Sequence, residues 1–339
     1  GDRRVYFGHA GTDANEVIFR AARMATGKRR IVTFKLGYHG GLGVSMGVSG
    51  VHIDAGATPD PDLFLATYPN PFRPHASGPD PVQASLDASI AEIDAELAKG
   101  DVCVLMAEPI LSDGGMILPP KGFLTALHAT CRKYDVLLAM DEVKMGLGRP
   151  GLRHAFQLDG ITPEIVTFGK VIGSGLPLSA AVAPAWVIDG PPASALLTTA
   201  GNPICTAVGR EVLRVLVDED IPARAHRAGE RFMAGLREVM AQSPVIGDVR
   251  GAGLAIGLEL VTDRDTNTPD AVLAAKVVYR AYELGAVVHY VGGNTLEITP
   301  PLIISDAEVD EAAAILAGAI ADAHADKVSD EAIAPYAGW

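Results

Sequence analysis

Three short, largely apolar runs in the middle of the chain place the strongest constraint on its fold. They are Val102–Ala107, Val136–Met140 and Glu164–Phe168, and a predicted helix, Gly122–Tyr134, separates the first two. Strands that alternate with helices usually pair side by side, in a mostly parallel sheet covered by helices on both faces. The sequence therefore predicts an α/β domain built around such a sheet.

Charged residues follow each of these runs. Glu108 and Asp113 come after the first run, Asp141 follows the second, and Lys170 follows the third. The carboxyl ends of parallel strands meet at one edge of a sheet, where α/β proteins bind their ligands. We therefore expect Asp141 and Lys170 to flank a small, flat cofactor. For either residue alone, a structural aspartate or a surface lysine is the plainer interpretation.

The N-terminal region predicts a strand, Val5–Gly8, followed by a helix, Gly11–Thr26. Thr12 or Asp13 can cap this helix, and Glu16 stands where a capping-box acid would. A helix start after glycine also offers free N–H groups to an anion. An ordinary capped helix explains the same residues.

Tyr38 lies between Gly37 and Gly40. An aromatic ring among glycines suits a platform for a flat ligand, because the backbone can bend to present it. A simple turn is the alternative. Residues 54–81, rich in Pro, Asp and Gly, are predicted to form a loop.

The large domain is predicted to cover residues 1–210 and a small α+β domain residues 211–339. The second region contains a hairpin-like alternating pattern at 245–260 and ends in a helical segment at 306–325.

Composition limits the possible partners and compartments. The 339 residues carry a formal net charge of -13, which repels the phosphates of nucleic acid. No apolar run reaches the roughly 18 residues that span a bilayer, and the chain starts without a signal-like segment, so we expect a cytoplasmic protein. The three cysteines, Cys103, Cys131 and Cys205, are expected to be structural thiols. The scattered histidines predict no catalytic metal.

The motifs together resemble the class III, fold-type I enzymes that depend on pyridoxal phosphate. In family order, they are Ala10–Glu16, Tyr38–Gly40, Glu108–Pro109, Asp141–Val143, Gly169–Lys170 and Thr198–Pro203. This chemistry needs an aspartate beside the pyridine nitrogen and a lysine that binds the cofactor covalently, and Asp141 and Lys170 provide that pair.

The resemblance implies further cofactor contacts. Gly11 and Thr12 would bind the phosphate, Tyr38 would stack on one face of the ring, and Val143 would pack on the other. Glu108 belongs to the same set.

The resemblance also implies shared active sites. Thr198 would reach the phosphate bound by a neighbouring subunit, which makes a homodimer necessary for activity. Family members usually carry a segment before the phosphate-binding motif that helps to wall the substrate pocket. This sequence begins almost at that motif, and we expect a protein without such a segment to bind the cofactor poorly.

Three departures from the aminotransferase pattern bear on the reaction. Lys144 replaces a Gln that usually lies near the phenolic oxygen of the cofactor, and Asp113 stands in a segment that is usually uncharged. Glu297 lies at or beside the position of an Arg that grips the carboxylate of α-amino acids. These departures resemble the α-amino-ε-caprolactam racemases, the amino acid amide racemases of the family. Tyr68–Pro74, Val278–Tyr282 and Tyr336–Trp339 are shared with them as well.

A racemase needs one acid/base group on each face of the reacting carbon. Lys170 serves one face, and the resemblance assigns Asp113 to the other, although a turn aspartate before two glycines is the plainer interpretation of Asp113. The sequence thus predicts racemisation of α-amino acid amides or lactams. A class III aminotransferase is the alternative, and a non-catalytic binding protein on the same fold is a third.

Overall fold

A computed structural model describes residues 2–190 and 194–336, and the chain divides into two compact units. The first unit contains Gly1–Leu111, Leu118–Leu147 and Leu152–Asp220, and the second contains Ser112–Ile117, Gly148–Gly151 and Ile221–Trp339. The predicted division after residue 210 lies inside a helix, Pro203–Asp218. The observed division comes where that helix has ended, and two short segments of the preceding chain join the second unit.

A seven-stranded sheet forms the centre of the described part of the first unit. Its strands are β1 (Arg3–Gly8), β2 (Arg30–Phe34), β3 (Leu63–Ala66), β4 (Val102–Ala107), β5 (Leu137–Asp141), β6 (Ile165–Phe168) and β7 (Ser179–Pro184). The spatial order is β1-β7-β6-β5-β4-β2-β3, and only β7 runs against the others. The predicted α/β fold with a mostly parallel sheet is confirmed.

Helices cover both faces of this sheet. They are α1 (Gly11–Thr26), α2 (Gly43–Gly47), α3 (Gly50–Asp54), α4 (Pro81–Leu97), α5 (Phe123–Lys133), α6 (Ala185–Ile188) and α7 (Pro203–Asp218). Ile31 of β2 belongs to the buried cluster formed with α1, whereas the ring of Phe34 contacts that of Phe123 in α5. Residues 31 and 34 point to opposite faces of a strand, so α1 and α5 lie on opposite sides.

One strand was missed by the sequence prediction. β3 lies inside the stretch 54–81 that was predicted to be a loop, and its four residues pair in parallel with β2. A four-residue apolar run bounded by prolines and aspartates carries too little periodicity to be recognised. Pairing with β2 supplies the hydrogen bonds that define it.

The second unit combines an antiparallel sheet with helices. Its elements are α8 (Ile221–Gln242), β8 (Ile246–Ala252), β9 (Ala255–Asp263), β10 (Thr268–Pro269), α9 (Ala271–Glu283), β11 (His289–Val291), β12 (Thr295–Ile298), α10 (Asp306–His324) and α11 (Asp330–Ile333). β9 pairs with β8, β10 and β12, and β11 pairs with β12. Phe232 of α8 and Leu258 of β9 are buried in its core.

Among the helices of the described ranges, none has both the length and the apolar character that crossing a lipid bilayer requires. The three cysteines are buried free thiols, in keeping with the structural role that was predicted for them.

Candidate active site

β5 ends at Asp141, a side chain of the predicted site that is 4% exposed. Its Oδ2 accepts hydrogen bonds from Asn15 Nδ2 and His39 Nδ1, both at 2.9 Å. Its Oδ1 accepts one from the backbone N–H of Val143 at 3.1 Å. An ionised carboxylate offers about four acceptor positions. The described donors therefore fix the orientation of Asp141 and leave one position for a further donor.

Asn15 and His39 are functional candidates that the sequence analysis did not single out. Both lie inside motifs quoted there, and the signal was available for Asn15, which follows Gly11 by one helical turn and shares its side of α1. In the described residues, Asn15 Oδ1 and His39 Nε2 are buried without a hydrogen-bond partner. Buried polar atoms are rarely left so, and here they surround the carboxylate of Asp141.

Two glycines form a tight cradle beside Asp141. A Cβ atom at Gly11 would lie 2.6 Å from Val143 Cγ1, and one at Gly169 would lie 3.0 Å from the same methyl group and 3.3 Å from the Cα of Gly11. A side chain at Gly11 would require Val143 to move, and one at Gly169 would make unusually tight contacts. The start of α1 and the turn before Lys170 are therefore brought into direct contact over Val143.

Lys170 follows this cradle at the end of β6. Thr167 in β6 pairs with Asp141 in β5, so the lysine comes three residues beyond the level of the aspartate. Lys170 begins a single 3₁₀ turn with a left-handed φ of 46° and is exposed. Within the described ranges, no side chain forms a hydrogen bond or ion pair with its ammonium group.

The start of α1 differs in detail from the prediction. Neither Thr12 nor Asp13 is the N-cap residue, which is Ala10. The carboxylate of Asp13 instead reaches back from the first turn and accepts from the N–H groups of His9 and Ala10 at 2.7 and 3.1 Å. Glu16 is not part of a capping box and instead accepts from Ser45 N at 2.6 Å. The N–H of Asp13 already donates to the carbonyl oxygen of Ala10 at 3.0 Å. The N–H groups of Gly11 and Thr12 have no carbonyl of their own helix to bind, so they remain donors for an anion.

The hydroxyl of Thr12 lies beside the glycine-rich turn after Tyr38. Its Oγ1 accepts from Gly41 N at 3.4 Å, and a Cβ atom at Gly40 would lie 2.6 Å from it. Gly40 also has a φ of 138°, which other residues rarely adopt. The two candidate phosphate and platform motifs are thus packed against each other.

Glu108 is buried and supports Tyr38. Its Oε1 accepts from the backbone N–H of Tyr38 at 3.0 Å. The Tyr68 hydroxyl lies 3.2 Å from the carbonyl oxygen of Glu108 and 3.1 Å from that of Pro109, within reach to donate to either. Burial, and secondarily the charge of Glu108, raises the pKa of Tyr68 well above its usual range, so the hydroxyl keeps its proton. Tyr68, quoted only as part of a shared motif, therefore anchors the Glu108–Pro109 turn.

Glu142 points away from the Asp141 network. Its two carboxylate oxygens accept from the N–H groups of Ala155 and Phe156 at 2.9 and 2.8 Å. Burial raises the pKa of Glu142 to about 7, although these two hydrogen bonds oppose the shift. This carboxyl group holds the chain at 155–156 against the end of β5.

The pattern of the family described as Aminotransferase class-III matches residues 1–320. The chain belongs to the class-III aminotransferase family. The leucine/methionine racemase of Thermococcus litoralis is 35% identical over 99% of this chain and 77% of its own length. The 5-aminovalerate aminotransferase of Pseudomonas aeruginosa is 36% identical over 91% of this chain and 72% of its own. Relatives within the class-III aminotransferase family therefore include both racemases and aminotransferases.

Solved structures agree with this family assignment. An amine transaminase from an uncultivated Pseudomonas species, in its PLP-bound form, superposes with a TM-score of 0.86 and 29% identity. The match covers 94% of this chain and 77% of that one.

The cofactor of a class-III enzyme is pyridoxal 5'-phosphate, and the site fits it. Asp141 has one acceptor position left for the protonated ring nitrogen, and the N-terminus of α1 offers donors to the phosphate. Gly11 and Gly169 allow the start of α1 and the turn before Lys170 to pack together over Val143. Lys170 provides a primary amine after β6, at the same edge of the sheet as Asp141. When bound, the cofactor withdraws electrons from the substrate and so acidifies its Cα–H bond.

The other predicted site residues are placed as follows. Lys144 is half-buried in the first unit, and Thr198 is exposed in the loop before α7. Asp113 and Glu297 belong to the second unit. Asp113 is half-buried, and its carbonyl oxygen accepts from Gly292 N at 3.0 Å. Ala337–Trp339, the end of a motif shared with the amide racemases, lies outside the described residues.

Glu297 lies in β12 and accepts from Thr299 Oγ1 at 3.2 Å. Its charge acts on Arg149, whose pKa burial lowers to about 10 while Glu297 opposes the shift. Arg149 donates to the carbonyl oxygens of Leu254 and Pro300 at 3.2 and 2.6 Å. The guanidinium group of Arg149 therefore binds the main chain of the second unit.

Proposed function

We propose that this class-III enzyme racemises α-amino acid amides and lactams. The observation that carries the proposal is the acidic residue at position 113, which gives the chain a second acid/base candidate in addition to Lys170. Similarity to the leucine/methionine racemase along almost the whole chain supports the same reaction type.

In this proposal two side chains transfer protons, one on each face of the α-carbon. Lys170 removes the α-proton from one enantiomer, and Asp113 as the protonated acid delivers a proton to the opposite face of the same carbon. The other enantiomer follows the same route in reverse, so each turnover releases no net proton. General acid–base groups contribute about 10²–10⁴-fold each to such steps.

The presence of Glu297 favours an amide substrate over a substrate with a free α-carboxylate. A free α-carboxylate is best bound by the planar fork of an arginine, and a glutamate at or beside that position repels it. A carboxamide or lactam carries no charge and accepts hydrogen bonds without this cost. The racemase relative is named for free amino acids, so these are the substrate class to be tested beside amides.

A homodimer with shared active sites is part of the proposal. Thr198 is exposed in the loop before α7, as a residue that binds a neighbouring subunit's phosphate must be. A mass in solution equal to one chain, with full activity, would contradict it.

The experiment follows racemisation and α-hydrogen exchange separately. Single enantiomers of an amino acid amide, a lactam and a free amino acid are incubated with the holoenzyme in heavy water, without any keto acid. We expect loss of optical rotation with amide and lactam substrates. No loss of rotation with bound cofactor would exclude a racemase.

Asp113→Asn sharpens the test. Racemisation should fall about 10²–10⁴-fold in both directions, because one face has lost its acid. The enantiomer served by Lys170 should still exchange its α-hydrogen with retention of configuration. Equal loss of both exchange reactions would contradict the assigned role of Asp113.

An aminotransferase is the second candidate, and the amine transaminase structure favours it. In that case an amine donor alone should release one equivalent of carbonyl product per active site, with no added acceptor. A racemase should release none beyond a trace.

A further inference from the structure

The segment that carries Asp113 is held by the second unit, although β4 precedes it in the chain. Resting on the function proposed above, we infer that Arg250 is a positioning residue that sets the proton transfer of Asp113 by clamping the main chain of Ser112–Ile117.

Arg250 in β8 bonds directly to this segment. Its Nε donates to the carbonyl oxygen of Met116 at 3.0 Å, and its Nη2 donates to that of Gly115. Nη2 also lies 3.3 Å from Thr295 Oγ1 in β12. One rigid guanidinium group therefore ties the segment after Asp113 to two strands of the second unit.

Two carboxylates orient the guanidinium. Nη1 contacts Glu259 Oε2 at 2.7 Å and Asp248 Oδ2 at 2.9 Å. The side chains of Arg250 and Glu259 are 9% and 3% exposed, so the pair is largely shielded from water. With these contacts all five N–H donors of the arginine have acceptors. The clamp cannot turn without breaking several charge-assisted hydrogen bonds.

Glycines hold the segment from the other side. Gly292, in the turn between β11 and β12, donates its N–H to the carbonyl oxygen of Asp113 at 3.0 Å. A Cβ atom at Gly292 would lie 2.9 Å from the oxygen of Gly114, and one at Gly257 would lie 2.7 Å from Met116 Cβ. The backbone from the carbonyl group of Asp113 to Met116 is therefore fixed by the sheet of the second unit.

This arrangement matters for the reaction because proton transfer is sensitive to displacements of about 1 Å. Arg250 and Gly292 do not need to touch substrate or cofactor to act. They determine where the carboxyl group of Asp113 can reach.

Gly292→Ala tests the inference with a closely matched control. Gly292 and Gly293 both have left-handed backbones, with φ of 59° and 84°, so alanine is strained at either position. Only at Gly292 would the new methyl group collide with the 112–117 segment, since nothing lies within 4 Å at Gly293. Gly293→Ala therefore reproduces the backbone strain without the collision.

Two readouts are measured for each variant. Amide hydrogen exchange of 112–117 in the cofactor-free protein should rise about tenfold in Gly292→Ala only. In the holoenzyme, racemisation of an amino acid amide should fall about 10–100-fold in Gly292→Ala. Solvent exchange of the enantiomer served by Lys170 should stay within about twofold.

Arg250→Lys tests the clamp itself. Lysine keeps the charge beside Glu259 but cannot bond two carbonyl oxygens with a planar fork. We expect the same pattern of effects as for Gly292→Ala. Arg264→Lys is the control, because Arg264 also donates to two carbonyl oxygens of this unit, those of Ile246 and Met240, away from the segment.

The outcomes separate the inference from the proposed function. Faster amide exchange without a selective loss of racemisation, or no faster exchange in either variant, would overturn the positioning role. If the wild type does not racemise any substrate, the proposed function fails, and the amide exchange still reports whether Arg250 and Gly292 fix the segment.

Discussion

The end of β5 and the segment 112–117 each carry an aspartate, Asp141 and Asp113. The hydrogen bonds that fix the two regions have different acceptors. At β5, the carboxylates of Asp141 and Glu142 collect donors from side chains and backbone N–H groups. In the segment 112–117, Arg250 and Gly292 donate to backbone carbonyl oxygens instead. The first region fixes a side chain, and the second fixes a main chain.

The difference fits the work proposed for each aspartate. Asp141 has to present a steady negative charge to a ring nitrogen, which requires an immobile carboxylate. Asp113 has to exchange protons with a carbon atom, which requires a well-placed backbone from which the carboxyl group acts. Three substitutions test this contrast.

Asp141→Asn should have the largest effect. The amide has the same shape but no charge, so turnover should fall about 10²–10⁴-fold, as measured by steady-state kinetics with saturating cofactor. Asp159→Asn is the control, since the carboxylate of Asp159 accepts from the N–H groups of Gly122 and Leu124 at the start of α5. It should cost about 1 kcal/mol of stability and leave turnover unchanged. Full activity of Asp141→Asn would show that the reaction does not need a charged carboxylate at position 141, which contradicts the role proposed for Asp141.

Glu142→Gln should alter the pH dependence of stability. The folded protein raises the pKa of Glu142 to about 7, above the usual value of 4.5, so between these pH values the folded state binds the extra proton. The contribution of this group to the free energy of unfolding therefore falls by about 2 kcal/mol from pH 5 to pH 7. Denaturant unfolding at both pH values should show this slope in wild type and lose it in Glu142→Gln. An unchanged slope would show that Glu142 titrates normally.

His39→Ala should have the smallest effect of the three. Asn15 and the N–H of Val143 still hold Asp141, so turnover should fall about tenfold. His39→Gln restores a donor and should recover part of the loss. The absorbance of the bound cofactor should shift in His39→Ala, a change that a purely structural histidine would not produce.

The sequence predicts much of the fold, for reasons visible in particular residues. β4 is an unbroken apolar run, and α1 extends over the predicted Gly11–Thr26. β3 was missed because its identity depends on pairing with β2. The predicted domain boundary at residue 210 falls inside a helix, because α7 continues to Asp218.

Candidate site residues can be predicted from the sequence where they directly follow a predicted strand. Asp141 and Lys170 come to one sheet edge because β5 and β6 are parallel neighbours. Asn15 could have been found from its helical spacing to Gly11. His39 and Arg250 act through other residues over long separations in sequence, and no local pattern reveals such contacts. Asp113 was predicted from its residue type and stays a prediction. Its attachment to the second unit depends on Arg250 and Gly292, which lie far along the chain.

The backbone of Lys170 has a further consequence. A left-handed conformation costs a residue with a side chain about 1–2 kcal/mol, and glycine avoids that cost. Glycine would therefore be more stable than lysine at position 170, but it would lack the amine that the proposed reaction needs. Lys170→Gly is thus expected to raise the free energy of unfolding while abolishing the proposed activity.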